Sequence, residues 1–266
     1  MYNKNLLMCR PDYFNISYSI NPYMSTSQQP DHDKLRTEFN LIIKAHIDAG
    51  RTINFMEPID GLPDMTYTAN QALIRGNKAL LGNLPPQRRD EIIHTKKWLI
   101  NAGYEVMECP FTFSGQGDCL PTGTGAVIKG RKWRSDPRSD EIVKSFLGYE
   151  IIPVQTVSDR WYDNDLVFGI INPGLVAVCW EALDDESVAN LKKRNDLEFI
   201  DVDINEAKQF VLNLVSDGHA VTMSEGGPIL KAALETRGFE VITRSIEQLK
   251  LGGGGIRCTT LALDAS

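Results

Sequence analysis

The chain has 266 residues, of which 42% are hydrophobic and 24% charged, and its formal net charge is −7. That supplies a substantial core, while the excess of carboxylates argues against nucleic acid, whose phosphates need clustered Lys and Arg. No window approaches the roughly 18 apolar residues of a membrane span, and the N-terminal apolar run is too short for a signal peptide. The five cysteines (Cys9, Cys109, Cys119, Cys179 and Cys258) are scattered, odd in number and never paired as C-x-x-C. The chain therefore reads as cytoplasmic with reduced thiols, and no zinc or iron–sulfur spacing is present.

Short β-prone runs alternate with helical patterns along the whole chain. A strand is expected over 5–9, followed by a loop rich in Tyr, Ser, Asn and Gln over 15–30. A helix over 33–49 comes next, with Asp31 or Asp33 able to cap it. Strands over 52–57, 72–75 and 79–84 lead into a helix over 86–102 with Pro86 in its first turn. Strands over 104–109 and 125–129 precede a helix over 140–146. The pattern continues with strands over 149–154, 166–171 and 175–179, a helix over 181–194, a strand over 198–202 and a helix over 206–214. A strand over 220–224, a helix over 227–237 and strands over 239–243 and 256–264 complete it.

Two junctions share one wording: Ile100-Asn-Ala-Gly-Tyr-Glu-Val and Glu235-Thr-Arg-Gly-Phe-Glu-Val. In each the glycine suits the left-handed residue that ends a helix, and an aromatic residue opens the next strand. The recurrence suggests repeated strand-rich modules, each carrying a helix. No linker or compositional break divides the chain, so residues 1–266 read as one domain.

The segment most suggestive of chemistry is Leu251-Gly252-Gly253-Gly254-Gly255-Ile256-Arg257-Cys258-Thr259-Thr260. Four consecutive glycines let a chain turn sharply or pass close to something. They would place Cys258 where a flexible loop enters a strand, either as a thiol nucleophile or as a small buried hydrophobe. Four polar clusters accompany it. Gly61-Leu-Pro-Asp64-Met-Thr-Tyr-Thr-Ala-Asn70 and Phe113-Ser-Gly-Gln-Gly-Asp118-Cys119 each read locally as turns. Trp133-Arg134-Ser-Asp136-Pro-Arg138 reads as a solvated helix start. In Arg160-Trp-Tyr-Asp163-Asn164-Asp165, two carboxylates two residues apart on a strand face one way, a costly arrangement without a cation between them.

Taken together and in this order, the segments resemble the amidinotransferase/dihydrolase (pentein) superfamily, nearest its dimethylarginine and arginine hydrolase branch. Met8-Cys-Arg-Pro-Asp-Tyr-Phe and Ile20-Asn-Pro-Tyr-Met resemble the N-terminus of that branch. Phe168-Gly-Ile-Ile-Asn-Pro-Gly-Leu-Val resembles the run that follows the motif histidine in amidinotransferases. The resemblance implies an α/β propeller of five pseudo-symmetric strand-rich modules around a central site. It implies Cys258 as the nucleophile that attacks a guanidinium carbon. Asp64, Asn70, Asp118 and Asp165 would line the pocket, and Arg134 would hold a substrate carboxylate. It implies no metal, nucleotide or redox cofactor, a small guanidino substrate as the partner, neither nucleic acid nor membrane, and it leaves a homo-oligomer open.

In that family a histidine relays protons and a carboxylate orients it. Here Asp163 stands at the histidine position and Ser114 at the position of the orienting glutamate. None of the four histidines (His32, His46, His94, His219) falls on a family motif. Two functions remain open on the sequence. One is a cysteine enzyme acting on a guanidino or related C–N substrate, by hydrolysis or amidino transfer, with Asp163 in an altered relay. The other is a silent binder of arginine-like ligands acting as a sensor or regulatory protein. A scaffold on the same fold is the least favoured reading.

Overall fold

Gly103 and Gly238, at φ of 90° and 87°, adopt the left-handed conformation expected of them and turn the chain out of a helix and into a strand. The computed structural model, which describes residues 3–265, repeats this junction within a larger unit. The strands are β1 (Asn5–Cys9), β2 (Thr52–Met56), β3 (Ala72–Arg75), β4 (Lys78–Leu81), β5 (Glu105–Glu108), β6 (Cys119–Pro121), β7 (Ala126–Gly130) and β8 (Glu150–Val154). They continue as β9 (Phe168–Asn172), β10 (Leu175–Val178), β11 (Glu198–Asp201), β12 (Val215–Ser216), β13 (Ala220–Ser224), β14 (Glu240–Arg244) and β15 (Leu261–Ala262).

These form five three-stranded sheets, ordered β15-β1-β2, β3-β4-β5, β6-β7-β8, β9-β10-β11 and β12-β13-β14, set around a centre. Every sheet has the same internal logic. The first two strands are antiparallel and the third pairs parallel with the second. A parallel pair needs a crossover, and helical segments supply it. They are His32–Asp48, Glu91–Asn101, the run Ser139–Ile142 continued by Val143–Leu147, Asp185–Leu191 and Pro228–Thr236. The C-terminal β15 pairs with β1, with Leu6 opposite Ala262, so the two ends of the chain complete one module.

The helix His32–Asp48 shows how the sequence dictates these crossovers. Asp31 caps it, accepting from the backbone N–H groups of Asp33 and Lys34. Leu35, Phe39, Ile42 and Ile43, spaced for one face of a helix, are buried. The core extends through β9 and β10, whose alternation is lost because both faces are covered: Val176, Ala177 and Val178 are all fully buried. Among the described residues, no helix is long and apolar enough to cross a membrane.

Three sequence expectations need correction. The helix expected over 206–214 is confined to Ile204–Ala207, because Phe210 takes a positive φ of 65° and breaks it. The strand expected from residue 256 begins only at Leu261; before it the chain makes tight turns, Thr259 N–H donating to Gly255 O and Thr260 N–H to Arg257 O. Asp163 and Asp165 do not lie on a strand. Asn164–Leu166 is a 3-10 turn and β9 starts at Phe168. All three reflect one device that periodicity cannot reveal: a single tight turn placed just before the first strand of a module.

Candidate active site

That device recurs in every module and brings the polar residues together. The turns are Thr68–Gln71 before β3, Gly115–Asp118 before β6, Asn164–Leu166 before β9, the turn ending at Asn213 before β12, and the turn carrying Cys258 before β15. Each ends where an inner strand begins, so Asn70, Asp118, Asp165, Asn213 and Cys258 hold related places around the centre.

Cys258 is buried, and its Sγ–H donates to Asp165 Oδ2 at 3.2 Å. Asn213 Nδ2 donates to the same sulfur at 3.0 Å. Burial first, then the Asp165 carboxylate, pushes the thiol well above its ordinary range, so the resting sulfur is a thiol. The glycine run is not a flexible hinge but a close approach. A Cβ on Gly252 or Gly254 would overlap the Tyr67 side chain, whose hydroxyl donates to Leu249 O at 2.6 Å.

Asn70 connects Asp163 and Ser114, the two positions expected to depart from the family pattern. Its Nδ2 donates to Asp163 Oδ2 at 2.8 Å and to Ser114 Oγ at 2.9 Å. Asp163 and Ser114 therefore do share a hydrogen-bonded unit, with Asn70 as the link. Gly117 is required beside them, since a Cβ there would run into Asn70 Nδ2 and lie 3.0 Å from Asp163 Oδ2. Gly130 plays the same part for Asp118, whose carboxylate occupies the space a side chain would need.

Four carboxylates converge here: Asp64, Asp118, Asp163 and Asp165, all buried. In each, one oxygen has no hydrogen-bond partner: Asp64 Oδ1, Asp118 Oδ2, Asp163 Oδ1 and Asp165 Oδ1. Buried, unpaired carboxylate oxygens are costly, and they mark where a cation would be held. Burial raises all four acids. Asp118 is pushed to about 7 by burial and then by Asp163. For Asp165, burial acts first and Asp163 next, whereas Arg134 partly offsets burial at Asp163 and Arg88 does so at Asp64. Among the described residues, no group of three or more His, Cys, Asp or Glu is arranged to hold a metal ion.

Arg134 stacks over the Tyr162 ring at 4.6 Å and donates through Nη2 to Ile20 O at 3.1 Å. The 15–30 loop is thereby drawn over the site, and Tyr18 OH donates to Asp64 Oδ2 at 3.0 Å. All seven residues expected at the site, Asp64, Asn70, Asp118, Arg134, Asp163, Asp165 and Cys258, thus belong to one cluster. The histidines lie elsewhere. His46, for example, is fully buried against Arg51.

Sequence reasoning missed Arg88, Glu91 and Asn213. Arg88 Nη1 donates to Asn70 Oδ1 at 2.8 Å, and its Nη2 pairs with buried Glu91 at 2.8 Å. The spacing of three residues between Arg88 and Glu91 was a usable sign of an ion pair. For Asn213 the sign was a lone amide inside the apolar run Phe210-Val-Leu-Asn-Leu-Val.

Five modules around a centre that holds a thiol and four carboxylates define a pentein. The chain belongs to the N,N-dimethylarginine dimethylhydrolase family, whose profile, described as eukaryotic N,N dimethylarginine dimethylhydrolase, matches residues 10–264. It is thus an amidinohydrolase-like enzyme by family. It is 28% identical over 257 residues to the N(G),N(G)-dimethylarginine dimethylaminohydrolase of Mycobacterium tuberculosis, covering 96% of this chain and 84% of that one. It is 28% identical to the bifunctional arginine dihydrolase/ornithine cyclodeaminase AgrE of Nostoc, across 96% of this chain but only 37% of that protein. The N-terminal domain of ArgZ, solved covalently bound to a reaction intermediate, superposes with a TM-score of 0.92 at 25% identity, covering 97% of both chains.

Proposed function

We propose that this single-domain protein cleaves a C–N bond of a guanidino compound of the arginine class, using Cys258 as nucleophile and Asp163 in place of the family's histidine. The observation that carries this reading is the thiol itself: Sγ lies 3.2 Å from the Asp165 carboxylate, among buried acids whose free oxygens suit a guanidinium. Asp64, Asp118 and Asp165 would hold the cationic end, with Asn70 fixing Asp163 beside them. Arg134 would meet a substrate carboxylate.

The chemistry follows from these placements. The thiol proton passes into the Asp165–Asp163 pair as Sγ bonds to the guanidinium carbon. The pair returns a proton to the departing nitrogen, the C–N bond breaks, and the amidino carbon stays on sulfur with the substituents that did not leave. Water then forms the C–O bond and the C–S bond breaks, restoring the thiol. Asp163 suits the acid step better than an exposed carboxylate would, because burial raises it, partly offset by Arg134.

A bound guanidinium would offset the acids that hold Cys258 protonated, so attack would depend on the substrate being present. The same protonated thiol also favours a second reading, a silent binder of arginine-like ligands.

Amine and ureido-product release from a panel of guanidines, arginine and one with a better leaving group among them, separates the two. Negligible hydrolysis near neutral pH is expected of the wild type, with faster reaction of a guanidine bearing a better leaving group. Asp163→His and Ser114→Glu together should raise the rate far more than either change alone, because an unoriented imidazole gains little. A wild type hydrolysing arginine at ordinary rates, roughly 1–100 per second, would overturn the altered relay. Saturable binding with no release from any guanidine would favour the binder.

A further inference from the structure

Four modules supply the residues already placed in the site; the remaining one, β12-β13-β14, reaches the centre through Asn213. We propose that Asn213 is the positioning residue of the nucleophile: it fixes Cys258 by its backbone and supplies the neutral donor that stabilises the sulfur once its proton has left. The inference rests on the reading of Cys258 as nucleophile, and it concerns a residue that composition and motifs did not single out.

The geometry engages every polar atom of the Asn213 side chain. Oδ1 accepts from the Cys258 backbone N–H at 3.1 Å, while Nδ2 donates to Cys258 Sγ at 3.0 Å and to Asp165 O at 3.3 Å. Its own carbonyl accepts from Arg257 N–H at 3.2 Å. One amide therefore sets the sulfur, its backbone and the residue that accepts its proton.

The two contacts on sulfur respond oppositely to ionisation. The Sγ–H to Asp165 bond becomes a repulsion between two anions when the proton leaves. The Asn213 contact becomes a charge-assisted hydrogen bond and strengthens. An amide does not titrate in the working range, so its donor is present in both states.

The backbone is shaped to allow this. Phe210 is a bulky residue at a φ of 65°, a strained conformation that persists only where surrounding structure enforces it. Its ring is buried and packs on Tyr23, 4.9 Å between centroids. The resulting turn, with Asn213 N–H donating to Phe210 O at 3.0 Å, ends the helix early and aims Asn213 inward. In the facing glycine loop, Gly255 lacks a side chain and so lets the amide in. A Cβ there would lie 2.9 Å from Asn213 Oδ1 and 3.1 Å from Ile246 Cδ1.

The test follows the pH dependence of Cys258 alkylation by iodoacetamide in the full chain, read by peptide mass spectrometry, for wild type, Asn213→Asp, Asn213→Leu and Asn213→Ser. Asn213→Asp keeps the acceptor for the backbone but exchanges the donor for a carboxylate, whose repulsion adds to the loss, whereas Asn213→Leu removes the donor at similar size without adding charge. Each should move the alkylation midpoint up by about one pH unit or more, a tenfold loss of rate below it. Asn213→Ser, which retains a donor, should recover part of that loss. A merely structural role would lower the melting temperature and leave the midpoint in place, and an unmoved midpoint in a folded Asn213→Leu protein overturns the proposal. Should that variant fail to fold, the Asn213 side-chain amide resonance of the wild type decides. It must shift as the thiol titrates and stop shifting in Cys258→Ala, and a resonance indifferent to pH overturns the proposal equally. No guanidine enters either measurement, so a chain without turnover leaves this test intact.

Discussion

Replacing Asp118 with asparagine should stabilise the folded protein increasingly as the pH rises. Asp118 is 3% exposed and its carboxyl is pushed from 3.8 to about 7 by burial and by Asp163. An acid raised on folding binds its proton more tightly in the folded state, so the penalty is absent below the unfolded value, grows from there, and is complete above about 7. Three units correspond to about 4 kcal/mol at most, because Asp163 shares the cost. With an unfolding entropy of about 2.1 cal/mol/K per residue, a chain of 266 residues converts that into a rise in Tm of up to about 7 °C. The assay is a pair of thermal melts at about pH 4 and about pH 8 for wild type and variant, the gain appearing only at the higher pH. Ligand binding should weaken in the same variant, the ordinary exchange of stability for function. An Asp118→Asn protein equally stabilised at both pH values, or destabilised at the higher one, would refute the claim that these acids are held apart from a cation at a cost.

Gly117→Ala should lower stability by about 1–3 kcal/mol, as overpacking does, and should abolish guanidine binding because Asn70 and Asp163 must separate; melts and calorimetry read both. Asp64→Ala or Asp165→Ala should each cost about 1.5–3 kcal/mol of guanidinium affinity, the worth of hydrogen bonds to a charged group. Arg134→Ala should weaken arginine but not agmatine, which lacks the carboxylate, and equal loss for both in calorimetry would remove Arg134 as the anchor.

How far the sequence disclosed this arrangement depended on the length of each signal. The crossover helix beginning at His32 carries several turns of apolar spacing and a capping Asp31, so its ends were legible to within one residue. β1, β3 and β13 were legible as short apolar runs flanked by turn formers. β6 and β12, of three and two residues, are too short to show any period, and they are the strands the pattern missed. The site residues were legible through their motifs, since each sits on a turn whose composition is distinctive. What the motifs could not convey was the connection between turns. Asn70 links Asp163 to Ser114 across three modules, and the positive φ of Phe210 turns a helical pattern into the approach of Asn213 to sulfur. Arg88 was hidden differently: no motif marks it within the helix expected over 86–102, while the fold buries it against Glu91 and Asn70.

The central claim is that Cys258 forms a covalent amidino intermediate, and the intact mass of the protein tests it. The full chain is incubated with a panel of guanidines, including one with a good leaving group, and quenched in acid. The account predicts a mass increase equal to the guanidine less its departing amine, localised to Cys258 and absent in Cys258→Ala. An unmodified mass under ligand concentrations that calorimetry shows to saturate the site would contradict it.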